Sequence, residues 1–400
     1  MTHTIVIGAG QAGASLVAKL RTLGETGRIT LIGAETAPPY QRPPLSKAYL
    51  LGEMPAERLF LRPEEFYADH DIVLRLGATV TAIDPVAKTV TLGDEVLTYD
   101  RLALTTGSSP RRLPAAMGGD LQGVFTLRDL ADVDAMQRYF ATGKQVVIVG
   151  GGYIGLEGAA VAAKLGLDVT VLEMAPRILQ RVAAAETSNF FRDLHRTHGV
   201  KILEGTGLER LLGGPHVTGA RLSDGQEIAA DFVMVGVGIT PNTALAEAAG
   251  LTIDNGIATD ALGRTSAPDI WAAGDCASFP VPNGRMRLES VPHAIEKAEC
   301  VAANMLGAAK DYVPAPWFWS DQYDIKLQIA GLNTGYDRIT TRRTEGAVSF
   351  WYYQGEKLLA VDAMNDPRAF MVAKRLLAAG KSPNPAQVSD PATELKALLS

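Results

Sequence analysis

An α/β fold built from two Rossmann-like dinucleotide-binding domains, one inserted in the other and followed by a C-terminal α+β domain, is what three features of this 400-residue sequence predict. The first is a repeated strand–turn–helix–strand pattern. HTIVIGAGQAGASLVAKLRTLG runs into RITLIGAE, and KQVVIVGGGYIGLEGAAVAAKLG runs into DVTVLEMA. The second is that the first unit is still incomplete when its echo begins. The third is a change after Pro316 from alternating strands and helices to period-two runs such as LQIAGL and VSFWYYQ.

Each element follows from its residues. The short apolar runs TIVI and QVVIV read as strands buried on both faces, as parallel sheets require. The Ala-rich stretches after the glycines read as helices. YDRLALTTGSSPRRLP (99–114) reads as a strand leaving through a Ser/Pro/Arg linker, and DFVMVGVGITPN (231–242) as a strand and exit loop. SAPDIWAAGDCAS (266–278) adds a strand and a Gly-Asp turn that return to the first domain. The expected boundaries are 1–113 and 240–316 for the outer domain, 114–239 for the inserted one and 317–400 for the last. In that last part an antiparallel sheet precedes the helix DPRAFMVAKRLLAAG, and the Pro-rich tail KSPNPAQVSDPATE reads as mobile. A chain of this length has room for two to three domains of roughly 100–200 residues each.

Composition narrows the function. A net charge of −6 argues against general nucleic-acid binding. The two cysteines, Cys276 and Cys300, form no local redox motif and no cysteine-based zinc site, and no metal site is expected. Free thiols suit a reducing compartment. The chain enters its first strand without a signal-like segment, and no apolar run approaches ~18 residues. These features together predict a cytoplasmic protein that does not engage a membrane.

The glycines carry the chemistry. Gly8, Gly10 and Gly13 form G-x-G-x-x-G between a strand and a helix, and Gly150, Gly152 and Gly155 repeat it. The first glycine makes the turn, the second lets a pyrophosphate approach the backbone, and the third lets helix and strand pack closely. An acid follows each loop about 20 residues on, Glu35 and Glu173, placed to accept hydrogen bonds from a ribose diol. Two such loops imply two dinucleotides, FAD and NAD(P)H in one chain. A carboxylate at Glu173 repels a 2′-phosphate and predicts NADH; Arg177, four residues later, is the cation that would oppose that preference.

The segment PYQRPPLSKAYL (39–50) is the most distinctive. Pro43 and Pro44 stiffen the backbone ahead of a helix expected to carry Ser46 and Lys47. With IVIGAGQAG, LTTG, VVIVGGGYIGLE, GVGITPN, AAGDCA, ESVPHAIEKA and PWFWSDQYDIKLQIAGL, it gives the chain a resemblance along nearly its whole length. The chain resembles the oxygenase-coupled NADH–ferredoxin reductases of the putidaredoxin reductase type, which are glutathione-reductase-like in fold. PPLSK with FWSDQ separates this group from the glutathione- and lipoamide-type relatives, whose corresponding helix bears redox cysteines.

The resemblance implies residue roles. Lys47 looks like a lysine beside the flavin, with Glu157 its companion at the nicotinamide. Ala12, Arg42, Val80, Thr106, Gly107, Arg128 and Val291 match FAD-lining positions, Asp275 the acid that holds the ribityl chain, and Trp319 an aromatic at the flavin edge. Ile154 and Gly238 match NAD-lining positions. Ala34 stands where many relatives carry an acid, which leaves the ribose contact to Glu35 or water. Glu299 and Cys300 stand where some relatives are basic.

The activity implied is NADH-dependent reduction of a 2Fe–2S ferredoxin that supplies a haem monooxygenase or a Rieske-type dioxygenase, by a monomer or weak dimer. The alternatives are an apoptosis-inducing-factor-like NADH-responsive flavoprotein and an NADH oxidase. Docking of an acidic ferredoxin requires a local basic surface on an acidic chain. Lys297 and Lys326 are the first candidates, because their motifs should border the flavin edge.

Overall fold

The computed structural model describes residues 2–282 and 284–399. The chain divides into two compact units. One comprises 1–41, 56–109 and 239–316; the other comprises 42–55, 110–238 and 317–400.

The first unit is built on a parallel sheet. His3–Ile7 lies between Arg28–Ile32 and Arg101–Leu104, flanked outside by Ile72–Arg75 and Ile270–Ala272. Ile5, Val6, Ile29, Leu31, Leu102 and Ala103 are fully buried, as an unbroken apolar run predicts for a sheet covered on both faces. The helices Gln11–Thr22 and Val291–Met305 pack together on this sheet.

The second unit repeats the scheme. Gln145–Val149 lies between Asp168–Glu173 and Phe232–Val235, flanked by Lys201–Glu204 and Val124–Thr126. The strand order is the same in both sheets, so the sequence echo is a duplication of topology. One difference records the insertion: the last flanking strand comes late in the chain in the first unit, Ile270–Ala272, and early in the second, Val124–Thr126.

Residues 317–400 form a five-stranded antiparallel sheet, in the order Trp317–Gln322, Ile325–Gly331, Lys357–Met364, Ala347–Gln354, Arg338–Thr344, with the helix Pro367–Ala378 against it. Their sheet packs on 110–238, with Leu327, Val348, Phe350 and Tyr352 in one cluster with Val146, Leu156 and Phe191. The boundaries fall at 109/110 and 238/239, and 42–55 joins the second unit.

Two local expectations need correction. Pro43–Ser46 is one 3-10 turn and not the start of an α-helix. From there the chain continues through tight turns to Gly52. The Pro-rich tail is ordered. Arg342, only 5% exposed, donates to the carbonyls of Val388, Asp390, Pro391 and Thr393, and Val388, Leu395 and Leu398 are buried. Among the described residues no helix is long and apolar enough to cross a membrane.

Candidate functional site

In the first unit the glycine loop is shaped by close approach. Gly8 sits at φ +113°, and a Cβ there would lie 2.2 Å from the Thr105 carbonyl oxygen; at Gly13 it would lie 2.1 Å from the Gly8 oxygen. Both glycines are thus required by the protein itself. Gly10 is different, because a Cβ there would meet nothing within 4 Å. It begins the helix Gln11–Thr22, whose N-terminus has no side-chain cap and no acid in its first turn. An uncapped helix dipole opening onto free space at a glycine fits a pyrophosphate.

Two other predicted stretches approach this loop, Thr106 beside Gly8 and the AAGDCA turn beside Ala12. Ala12 lies where a Cβ on Gly274 would come within 2.9 Å of its own, which ties the phosphate helix to the AAGDCA turn. The Asp275 carboxylate accepts from Ser108 Oγ at 2.8 Å. Thr106 Oγ donates to the Asn242 carbonyl, whose side chain answers to the Thr106 carbonyl, and Gly107 takes φ +67° beside them. Glu35 follows the second strand and accepts from the Tyr40 hydroxyl. Val80 opens the strand Val80–Asp84, and Val291 is the first residue of the helix Val291–Met305.

The second unit repeats the loop. Gly150, at φ +108°, leaves no room for a Cβ against the Gly236 oxygen (2.4 Å), and Gly155 none against the Gly150 oxygen (2.1 Å). Gly152 faces open space at the uncapped start of Tyr153–Lys164. Glu173 accepts from the backbone N–H groups of Gly151 and Ala175 at 2.9 and 2.7 Å, which holds its carboxylate at the loop. Arg177, the cation that would oppose NADH, is turned aside and donates to the buried Ser188 hydroxyl at 2.5 Å. Ile154 is exposed in the first turn of the helix Tyr153–Lys164, and Gly238 takes φ +99° near the side chains of Arg111 and Arg181.

Beside this loop lies a cluster of polar side chains. Lys47 Nζ is 2.7 Å from Glu157 Oε2. Ser46 Oγ donates to the same oxygen at 2.5 Å and Ser320 Oγ to Oε1 at 2.7 Å. Glu157 is 5% exposed, so its charge is stabilised by three donors in place of water. Arg42 donates to the Arg128 carbonyl at 2.7 Å, which brings two predicted FAD residues together. Trp319 lies on the strand Trp317–Gln322, partly exposed, with its ring 5.5 Å from Trp317.

This arrangement offers two dinucleotide cradles and a cation–anion pair whose carboxylate is buried. Residues 2–298 match the model of the pyridine nucleotide-disulphide oxidoreductases, and 317–399 match a reductase C-terminal domain. The chain belongs to the pyridine nucleotide-disulphide oxidoreductase family. This oxidoreductase is 42% identical to rhodocoxin reductase of Rhodococcus erythropolis over 98% of its own length and 93% of the relative's. It is also 42% identical to putidaredoxin reductase of Pseudomonas putida, over 99% and 96%. It superimposes on the reductase in a covalent putidaredoxin reductase–putidaredoxin complex with a TM-score of 0.95, at 41% identity and covering 100% and 98% of the two chains. The resemblance read from PPLSK and FWSDQ is borne out.

One expectation about this oxidoreductase fails. Lys297 was to help dock a ferredoxin, but it is 1% exposed, with its ammonium 4.8 Å from the centre of the Phe279 ring. It lies on the inward stripe of an amphipathic helix, where Ala294, Ala298 and Val301 are also buried. Lys326 is exposed. Reading the sequence also missed Ser320, Gln322 and His195, all fully buried. The signal was present in FWSDQ, where Ser320 and Gln322 alternate on the face of a strand that buries Phe318 against Tyr153.

Proposed function

We propose that this chain is an FAD-dependent NADH:ferredoxin reductase that passes electrons from NADH to a 2Fe–2S ferredoxin serving a haem monooxygenase or a Rieske-type dioxygenase. The carrying observation is the Lys47–Glu157 ion pair, whose lysine lies on the segment that the resemblance aligns with the cysteine-bearing helix of disulfide reductases. The two cysteines of this chain lie elsewhere, at 276 and 300. FAD, when bound, would supply the conversion of a hydride equivalent into single electrons, which suits an iron–sulfur acceptor.

The residues then divide by task. Gly8, Gly10, Ala12 and Gly13 would hold the FAD pyrophosphate at a helix N-terminus, and Glu35 the adenosine ribose. Asp275, oriented by Ser108, would hold the ribityl chain; Thr106, Gly107, Val80, Arg42, Arg128, Val291 and Trp319 complete that set. Gly150, Gly152 and Gly155 would hold the NADH pyrophosphate, Glu173 its adenosine ribose, and Ile154 and Gly238 line the way to the nicotinamide. Glu157 fixes Lys47, whose ammonium would stabilise negative charge on the flavin when FAD is bound and reduced. No general base is required, because geometry and electrostatics suffice for hydride transfer.

We place the chain in the cytoplasm, where its two thiols stay reduced. The test is steady-state NADH oxidation with a panel of 2Fe–2S ferredoxins, beside ferricyanide as a small acceptor. Ferredoxin-dependent turnover with at least one member supports the proposal. Ferricyanide turnover with every ferredoxin inert, or a long-lived complex with NADH that turns over slowly, would favour an NADH-responsive signalling flavoprotein.

A further inference from the structure

A single file of buried polar groups leaves the Lys47–Glu157 pair and ends at the surface of the second unit. Ser320 Oγ donates to Glu157 Oε1 at 2.7 Å, and Gln322 Nε2 donates to Ser320 Oγ at 3.1 Å. With the amide so oriented, Gln322 Oε1 faces His195 Nε2 at 2.8 Å and accepts from it. His195 therefore carries its proton on Nε2, and Nδ1 accepts from the Tyr323 hydroxyl at 3.1 Å. All four donors point the same way, toward Glu157. Ser320, Gln322 and His195 are 0% exposed. Burial pushes the His195 pKa down to about 4, so at neutral pH the ring stays in the neutral form that the file requires.

The outer end is strained. Tyr323 takes φ +57°, a left-handed conformation unusual for a bulky aromatic and costing on the order of 1–3 kcal/mol. Its ring stacks on the exposed His198 with centroids 3.6 Å apart. Mutual satisfaction of buried polar groups explains that the file exists. It does not explain why every donor points at one carboxylate.

We propose that His195 is a positioning residue for the Lys47–Glu157 pair, acting through Gln322 and Ser320 to share the Glu157 charge and leave the Lys47 ammonium available to the flavin. This rests on the assignment of Lys47 to the flavin. Without the file, Glu157 draws Lys47 more tightly to itself, and charge on the reduced flavin loses part of its stabilisation.

The experiment uses the flavin-loaded chain and two readouts: the stopped-flow rate of flavin reduction by NADH, and the flavin midpoint potential from dye-equilibrated titration. His195→Phe should slow reduction several-fold at saturating NADH without changing NADH affinity, and should make the potential more negative by about 30 mV, a tenfold change for a two-electron couple. His195→Gln, whose amide can donate the same bond, should recover most of both. In a Glu157→Gln background His195→Phe should have no further effect on either readout, because the charge it serves is gone. Should His195→Phe fail to fold, Tyr323→Phe removes only the outermost donor and should move both readouts in the same direction. An unchanged rate and potential, or equal effects in both backgrounds, would overturn the proposal. If Lys47→Met itself leaves reduction unchanged, the fault lies with the flavin assignment and not with the file.

Discussion

Replacing Lys297 with methionine tests the energetics of the first unit at one atom. Burial, with Arg285 adding to it, lowers the Lys297 pKa from 10.5 to about 7. The folded state thus favours the neutral amine. Above pH 10.5 the amine is neutral whether folded or unfolded and burial of charge costs nothing; as pH falls toward 7 the unfolded chain takes up a proton that the folded chain resists, and stability is lost. A shift of about 3.5 units corresponds to about 5 kcal/mol, of which about 4 is in force at pH 7 where the group is half-charged. The Phe279 ring, 4.8 Å from the ammonium, returns about 2 kcal/mol as a desolvated cation–π contact, and Thr259 Oγ1 at 3.4 Å adds little. The net burden of the charge is about 2 kcal/mol. Lys297→Met should therefore stabilise the protein by about 2 kcal/mol at pH 7, and by less than about 1 kcal/mol at pH 10. Urea unfolding of the flavin-loaded protein at both pH values reads the difference. A methionine variant less stable than the parent at pH 7 would refute the reasoning, since it would mean that the ammonium has a partner worth more than its burial costs.

Three further outcomes follow from other sites. Asp362, 1% exposed and bonded only to the hydroxyls of Thr187 and Tyr352 among the contacts described, is raised by burial from 3.8 to about 6. Its stability contribution is intact below pH 3.8 and lost as pH rises through 6, so Asp362→Asn should gain about 2 kcal/mol on the parent between pH 4.5 and 7.5; a pH-independent difference in unfolding free energy would contradict this. Glu173→Ala should shrink the preference for NADH over NADPH by about tenfold in kcat/KM, or about 1.4 kcal/mol, and an unchanged ratio would assign discrimination to another group. Arg342→Ala should cost about 3 kcal/mol and speed amide hydrogen exchange across 385–399, whereas unaltered exchange there would show that Val388, Leu395 and Leu398 hold the tail unaided.

Much of the architecture was legible because it depends on periodicity. Apolar runs bracketing Gly8 and Gly150 identify parallel strands, and the two sheets share one strand order. The Lys47–Glu157 ion pair was legible as residue types in a motif, Lys47 in PPLSK and Glu157 in GGGYIGLE. What sequence could not supply was which way a side chain faces when polar and apolar residues mix. Lys297 reads as a solvated charge in EKAECVA, yet its helix stripe turns it onto Phe279. His195 and Gln322 are separated by more than a hundred residues, and only the docking of one helix on one strand joins them. The tail misled for a related reason: its prolines suggested mobility, but its order comes from a guanidinium on a distant strand.

The order in which the two units share the chain has a consequence for dissecting the protein. Passing from 41 to 42, 55 to 56, 109 to 110, 238 to 239 and 316 to 317, the backbone changes unit at each step. Neither unit is a single continuous stretch, and every fragment long enough to hold one of them whole also carries segments of the other. The fourteen-residue loop 42–55, which brings Ser46 and Lys47 to Glu157, is separated from the rest of its unit by residues that belong to the other. Domain transplantation by simple cut and join would therefore strand half of the ion pair. A functional chimaera has to carry this loop as a separate graft.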